Sequence, residues 1–287
     1  MSYVIFTDSA CDIKKNMLED WGVHCLSLTF KFDGDDIEYA NDGMAPADFY
    51  QRMREGGVAK TSAINAATFK EAFEAVLKEG KDVLYLGFSS GLSTTYQSAC
   101  IAATELKESY PERKILTVDT LCASAGQGMV VYLTVKEQQK GADIEQAAAF
   151  ADMIKVGLCH WFTVDDLEYL KRGGRVSPTV AFVGNMLGIK PILHVDDAGK
   201  LVSTGKVRGR KAAIKALADK YTELAKDRKD SLIYISHSDS EADAKTLAEI
   251  IEREHGVKTE IITDVGPVIG AHAGPGTLAL FFIGTER

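Results

Sequence analysis

The sequence predicts an α/β fold in two domains, residues 1–157 as a mainly parallel sheet flanked by helices and residues 158–287 as an α/β unit with a mixed sheet. Three observations carry that reading. Apolar, strand-like runs alternate with helical periodicity from the first residues, the pattern of a parallel sheet covered by helices. Near Leu158 the alternation gives way to apolar segments joined by turn signals, which implies antiparallel pairing. No Pro- or Ser-rich linker separates the two regimes, so the units are expected to pack closely.

Tyr3–Asp8 is an apolar run suited to a buried strand, and Lys14–Gly22 reads as a short helix closed by glycine. His24–Phe32 reads as one strand, turned by Asp33-Gly34 into Asp36–Tyr39. Pro46 suits the first turn of a helix reaching Arg54, which Gly56-Gly57 stops. Asn65 is placed to cap a helix whose Phe69, Phe73, Val76 and Leu77 share a face. The strand Asp82–Gly87 leads into a hydroxyl-rich segment and a helix with Ala99, Ala102, Ala103 and Leu106 on one side. Lys114–Asp119 is a strand, followed by a helical stretch from about Ala123 to Lys140. Asp143 and Gln146 form a capping pair for the next helix. In the second half, Leu158–Thr163 and Lys190–Val195 are apolar, and Lys200–Arg208 pairs back through the Asp196–Gly199 turn. A helix over Arg210–Lys226, a strand over Ser231–His237, a helix over Glu241–His255 and a strand over Val257–Thr263 follow. A glycine-rich segment, Gly266–Gly276, precedes the final strand Thr277–Gly284.

With 46% hydrophobic and 26% charged residues in 287, the chain has a globular composition and enough length for a large core. A net charge of −8 argues against general nucleic-acid binding, which rests on neutralising phosphates. No apolar run reaches membrane-spanning length, and the first residues lack the basic and apolar regions of a signal peptide. Five scattered cysteines (Cys11, Cys25, Cys100, Cys122 and Cys159) argue against a disulfide framework and for a reducing, cytoplasmic compartment.

The densest candidate site is Ser89–Ser98, with six aliphatic hydroxyls between a strand and a helix. A helix N-terminus offers free N–H groups and the positive end of the macrodipole, so a hydroxyl cluster there suits an anion. The plainer role is a cap and a solvated loop. Gly87-Phe-Ser-Ser-Gly91 also matches the G-x-S-x-G pattern of serine hydrolases, with Ser89 as nucleophile and Asp119 and His237 or His272 in the order such enzymes use. Against it, the helical periodicity begins near Ser93, too late for a strained turn at Ser89. Asp8 and Asp12 flank a tight turn, where bonding to backbone amides is the common role. The dispersed histidines and cysteines offer no metal-type spacing, and no Gly-rich segment matches a nucleotide fingerprint. Thr61-Ser62 is a second hydroxyl pair, by itself a loop or capping element, and His272 lies among small residues that permit close approach. Two basic stretches, Lys171–Arg175 and Ala198–Ala218, form local positive surface on an acidic chain.

Taken together, the motifs Thr7-Asp-Ser9, Lys60-Thr-Ser62, Ser89–Ser98, Val118-Asp-Thr120, Leu167–Arg175, Ile189–Leu193 and His272–Gly276 resemble those of DegV-type proteins, in the family's order. The resemblance is to the fatty-acid-binding (FakB-type) members, bacterial carriers that hand an acyl chain to a separate kinase. It implies a lipid held between the two domains, with the chain acting as a binding subunit rather than an enzyme and using no cofactor. It implies a ligand carboxylate held by Thr61, Ser93 and His272 with Ser62 and Thr94 beside them, and the loop bearing Arg172 and Arg175 as the surface for a fatty acid kinase. The expected partners are a long-chain fatty acid and that kinase, with no nucleic acid and at most transient contact with a membrane surface. The chain departs from the family pattern at Ala63-Ile64, where Gln-Pro is usual, and at Thr94, where Gly is usual. A hydroxyl cluster at a helix start, aided by an imidazole able to take a proton, is the chemistry that would offset burial of a carboxylate.

Overall fold

Strand-forming apolar runs and one-faced helices follow each other through the computed structural model, which describes residues 2–177, 188–227 and 231–287. The first half opens with β1 (Tyr3–Asp8), a 3₁₀ turn (Ser9–Cys11), α1 (Lys15–Asp20), β2 (His24–Leu26), β3 (Thr29–Phe32) and β4 (Tyr39–Ala40). It continues with α2 (Pro46–Arg54), β5 (Ala59–Ser62), α3 (Ala66–Lys78), β6 (Asp82–Gly87), α4 (Thr95–Ser109), β7 (Ile115–Asp119), α5 (Ser124–Gln139) and α6 (Ile144–Val156). Next come β8 (Leu158–Thr163), α7 (Glu168–Arg172), β9 (Ile189–Val195), β10 (Leu201–Arg208) and α8 (Arg210–Leu224). The chain closes with β11 (Tyr234–His237), α9 (Glu241–His255), β12 (Ile261–Asp264), α10 (Pro267–Ala273) and β13 (Leu278–Ile283).

The fold is α/β with a parallel and a mixed sheet, as predicted. The parallel sheet has the order β2-β1-β6-β7, and the mixed sheet runs β10-β9-β8-β13-β11-β12 with only β11 and β12 parallel. The capping predictions hold at two helices: Asn65 accepts from the Thr68 N–H, and Asp143 and Gln146 form a reciprocal capping box.

Three local expectations were corrected. The segment His24–Phe32 is two strands rather than one: β2 joins the parallel sheet, whereas β3 leaves it for a separate antiparallel sheet, β4-β3-β5. Ser27 and Leu28 make the break, where the Leu28 N–H donates to Ser9 Oγ instead of a neighbouring strand. Thr61 and Ser62, expected in a loop, end β5 opposite Phe30 and Thr29. The glycine-rich segment 266–276 contains a helix, α10, started by Pro267 at its first turn.

α5 joins the two large sheets. Apolar and small residues surround it, and Ala125, Met129, Val130 and Val131 are wholly buried. One core runs from Ile5 and Leu84 of the parallel sheet through α5 to Phe162, Tyr234 and Phe281 of the mixed sheet. Two mid-helix glycines permit the approach, because a Cβ at Gly126 would stand 2.2 Å from His160 Nε2 and one at Gly128 2.3 Å from Ile13. Each glycine costs about 1 kcal/mol of helix propensity, which this packing offsets.

Candidate functional site

The carboxyl ends of β1 and β6 lie where the strand order of the parallel sheet reverses, the usual ligand crevice of such sheets. Asp8, the last residue of β1, is fully buried and accepts from Tyr85 OH at 2.6 Å and from the N–H groups of Phe88 (2.9 Å) and Ala10 (3.1 Å). It thereby fixes the start of the hydroxyl-rich segment after β6. Burial raises its carboxyl above the usual range, and the bonds from Tyr85 and Phe88 oppose that shift.

Ser89 is a structural residue. It is fully buried, its Oγ donates to the Gly199 carbonyl at 2.8 Å and accepts from the Gly91 N–H at 3.2 Å. Asp119 accepts from the N–H groups of Ser90 and Leu121, and His237 faces Asp264 at 3.7 Å. His272 bonds Thr61. The hydrolase reading is therefore corrected: its serine, acid and histidines are engaged with other partners, and the loop Ser89–Gly91 packs against the β9–β10 turn instead of forming a nucleophile elbow.

Beside this loop is a cavity of about 520 Å³ between the parallel and mixed sheets, lined by Thr61, Ser62, Ser93, Thr94, Arg175 and His272 and by apolar residues including Leu92, Phe162, Val195, Val268 and Phe281. Thr61 Oγ1 lies 2.8 Å from His272 Nε2, joining residues 211 positions apart. Ser93 Oγ accepts from the Thr95 N–H at 3.2 Å and lies 2.9 Å from Thr95 Oγ1, a local turn bond just ahead of α4 made by a residue that also lines the cavity. Arg175 Nε donates to the Leu92 carbonyl at 3.0 Å, which brings a guanidinium beside Ser93. Arg172 is exposed, with its guanidinium 5.0 Å from the Tyr169 ring centre.

α10 delivers His272. Its entry is pinned by Gly266 N–H to Asp12 Oδ1 (2.9 Å), Val268 N–H to Asn41 Oδ1 (2.8 Å) and Tyr50 OH to the Val265 carbonyl (2.7 Å). Gly173 lets α7 close on the imidazole, since a Cβ there would stand 2.1 Å from His272 Nδ1. Burial, and then the charges of Arg175 and Arg172, lower the His272 pKa to about 4. The imidazole is therefore neutral at pH 7. Among the described residues buried Nδ1 has no acceptor, so the proton belongs on Nε2 and is donated to Thr61. The Thr61 hydroxyl hydrogen is then free for the cavity. Hydroxyl donors, a helix start and one guanidinium in the wall of an apolar cavity are suited to an amphiphile with an anionic head.

The structure thus brings Thr61, Ser62, Ser93, Thr94 and His272 to one cavity and separates the two arginines. Nothing in the local sequence marks Arg175 as lining the cavity. Pro267 and Gly173-Gly174 were the available signals for the two short helices. The basic stretch after Ala198 is mostly a solvated face, with Arg210 paired to Asp165 and Asp243, and Lys215 to Asp219 and Glu254. Among the described residues, all five cysteines are free, no cluster of metal-ligating side chains occurs, and no helix is long and apolar enough to cross a membrane.

A family model described as "Uncharacterised protein, DegV family" matches residues 2–285. A DegV domain-containing protein of Clostridium perfringens is 44% identical over 286 residues, covering 99% of this chain and 98% of that protein. Among solved structures, a fatty-acid-binding DegV family protein from Thermus thermophilus is 30% identical with a TM-score of 0.89, over 99% of this chain and 100% of that one. A stearic acid-binding protein from Eubacterium ventriosum is 25% identical with a TM-score of 0.88, over 98% of each chain.

Proposed function

The chain belongs to the DegV family, and we propose that it is a fatty-acid carrier that presents the carboxylate of a buried acyl chain to a separate ATP-dependent fatty acid kinase. The observation that carries the reading is the cavity of about 520 Å³, apolar over most of its wall but with Thr61, Ser93, His272 and Arg175 in one cluster. Structural neighbours described as fatty-acid-binding support the choice of ligand. Each buried methylene contributes about 0.8 kcal/mol, so some fifteen supply roughly 12 kcal/mol before the costs of association.

In this reading Thr61 and Ser93 donate to the carboxylate, with Ser62 and Thr94 beside them. Arg175 supplies the charge that the neutral His272 does not, while His272 orients the Thr61 hydroxyl. The chain makes and breaks no bond. Phosphoryl transfer belongs to the kinase, docked at the loop that exposes Arg172, and carrier and kinase meet in the cytoplasm. The kinase step rests on the family resemblance and on that exposed basic loop.

Native mass spectrometry of protein purified from a bacterial host tests the carrier reading. The expected result is a mass excess of one long-chain fatty acid, lost on denaturation. A bare mass that stays bare after incubation with mixed fatty acids overturns the reading and leaves an anion site for another amphiphile.

A further inference from the structure

Of the five free cysteines, three have oxygen partners. Cys122 Sγ donates to the Thr120 carbonyl at 3.0 Å, Cys159 Sγ donates to the Glu286 carbonyl at 3.1 Å, and Cys100 Sγ lies 3.5 Å from Thr117 Oγ1. Cys11 and Cys25 instead meet each other. Cys11 closes the 3₁₀ turn after β1, and Cys25 is the middle residue of β2, paired with Thr7 of β1. The turn folds back beside this strand pair, and the Cys11 thiol is hydrogen-bonded to the Cys25 side chain. The Leu26 carbonyl, 3.9 Å from Cys25 Sγ, is a weak competitor for that thiol.

The two sulfurs differ in access. Cys11 is buried in the core that runs along α5. Cys25 is exposed and lines a second, open cavity of about 910 Å³ bounded by β2, α1, α3 and the start of α10, so a small solute reaches its sulfur. The bond to Cys25, and then burial, hold the Cys11 thiol well above its usual pKa, so Cys11 keeps its proton while Cys25 meets solvent. Neither cysteine lines the cavity beside His272.

We propose that Cys11 and Cys25 form a reversible disulfide, a modification site for peroxide at the edge of the parallel sheet. The Cys25 sulfur attacks one oxygen of hydrogen peroxide, the O–O bond breaks, and water leaves behind a sulfenic acid. The Cys11 sulfur then displaces the hydroxyl of that acid, which departs as water with the Cys11 proton. The two thiols together lose two electrons, and one peroxide becomes two waters. A small dithiol reverses the bond. In a reducing compartment such a disulfide is transient and reports oxidant, the usual role of a disulfide there. The inference does not depend on the carrier reading.

The test exposes reduced full-length protein to hydrogen peroxide and follows it by intact mass and by peptide mapping without reductant. The expected product is a monomer lighter by two hydrogens, with one cross-linked peptide pair joining Cys11 to Cys25 and full reversal by dithiothreitol. Closing the segment 11–25, which contains α1, should raise Tm by about 5 °C. Cys25→Ser should abolish the mass loss, and Cys100→Ser should keep it. The peptide map of the unaltered chain decides the matter even where a variant folds poorly. Accumulation of Cys25 as sulfinic or sulfonic acid with Cys11 still a thiol overturns the proposal. So does a Cys25 disulfide between two chains, or a loss of two hydrogens that survives Cys25→Ser.

Discussion

His272 and Arg175 take different parts in the polar cluster of the cavity. With its pKa near 4, His272 is neutral and serves as a donor to Thr61, and the positive charge of the cluster comes from Arg175. A hydrogen bond to a charged group contributes about 1.5–3 kcal/mol, so Ser93→Ala should weaken fatty-acid binding at least tenfold in a displacement titration with a fluorescent fatty acid, and His272→Ala, which removes only the group orienting Thr61, should weaken it by less. Full binding by the double variant removes the head-group assignment. The arginines should now separate. Arg175→Ala is expected to lose lipid affinity, because its guanidinium lines the cavity, whereas Arg172→Ala should keep the affinity and reduce kinase turnover on the loaded carrier. Equal loss of lipid affinity in both variants contradicts that division. Thr61, Ser62, Ser93, Thr94 and His272 were legible in the sequence as hydroxyl pairs and a histidine among small residues. The place of Arg175 was not, because a guanidinium four bonds beyond its Cβ can face solvent or cavity with the same local sequence.

α5 shows why an element can be legible while its role is not. Its helical length followed from composition, yet a one-faced pattern is absent because both flanks are covered, by the parallel sheet on one side and the mixed sheet on the other. Gly126→Ala should therefore destabilise the protein through the close contact with His160 rather than stabilise a helix. The expected loss is about 1–3 kcal/mol, read as a lowered Tm, and an unchanged or raised Tm contradicts the packing argument. The two short helices α7 and α10 escaped sequence reading for a related reason. Five and seven residues hold too few periods to show a face, and α10 depends on tertiary bonds from Asp12, Asn41 and Tyr50.

At the scale of the molecule, Asp12 connects the turn after β1 to α5, β12 and α10 through Ser124, Thr263 and Gly266. Its folded-state pKa of about 8 lies above the unfolded carboxylate value of 3.8, so folding favours the protonated form. The stability it contributes is present below about pH 4 and is lost progressively as pH rises towards 8. Asp12→Asn keeps a neutral, hydrogen-bonding group there, so its Tm should fall less than that of the unaltered protein between pH 5 and 8. Parallel Tm profiles contradict the assignment. The sequence by itself determined the alternation of strands and helices, most of their bounds, the change of regime near Leu158 and the hydroxyl cluster at a helix start, because each depends on periodicity and capping within a few residues. Only the tertiary structure decided that Thr61, Ser93, Arg175 and His272 share one cavity. Their convergence is set by close packing between chain segments more than two hundred residues apart, where Gly173 and Gly126 leave room for an imidazole and local sequence carries no record of the neighbour.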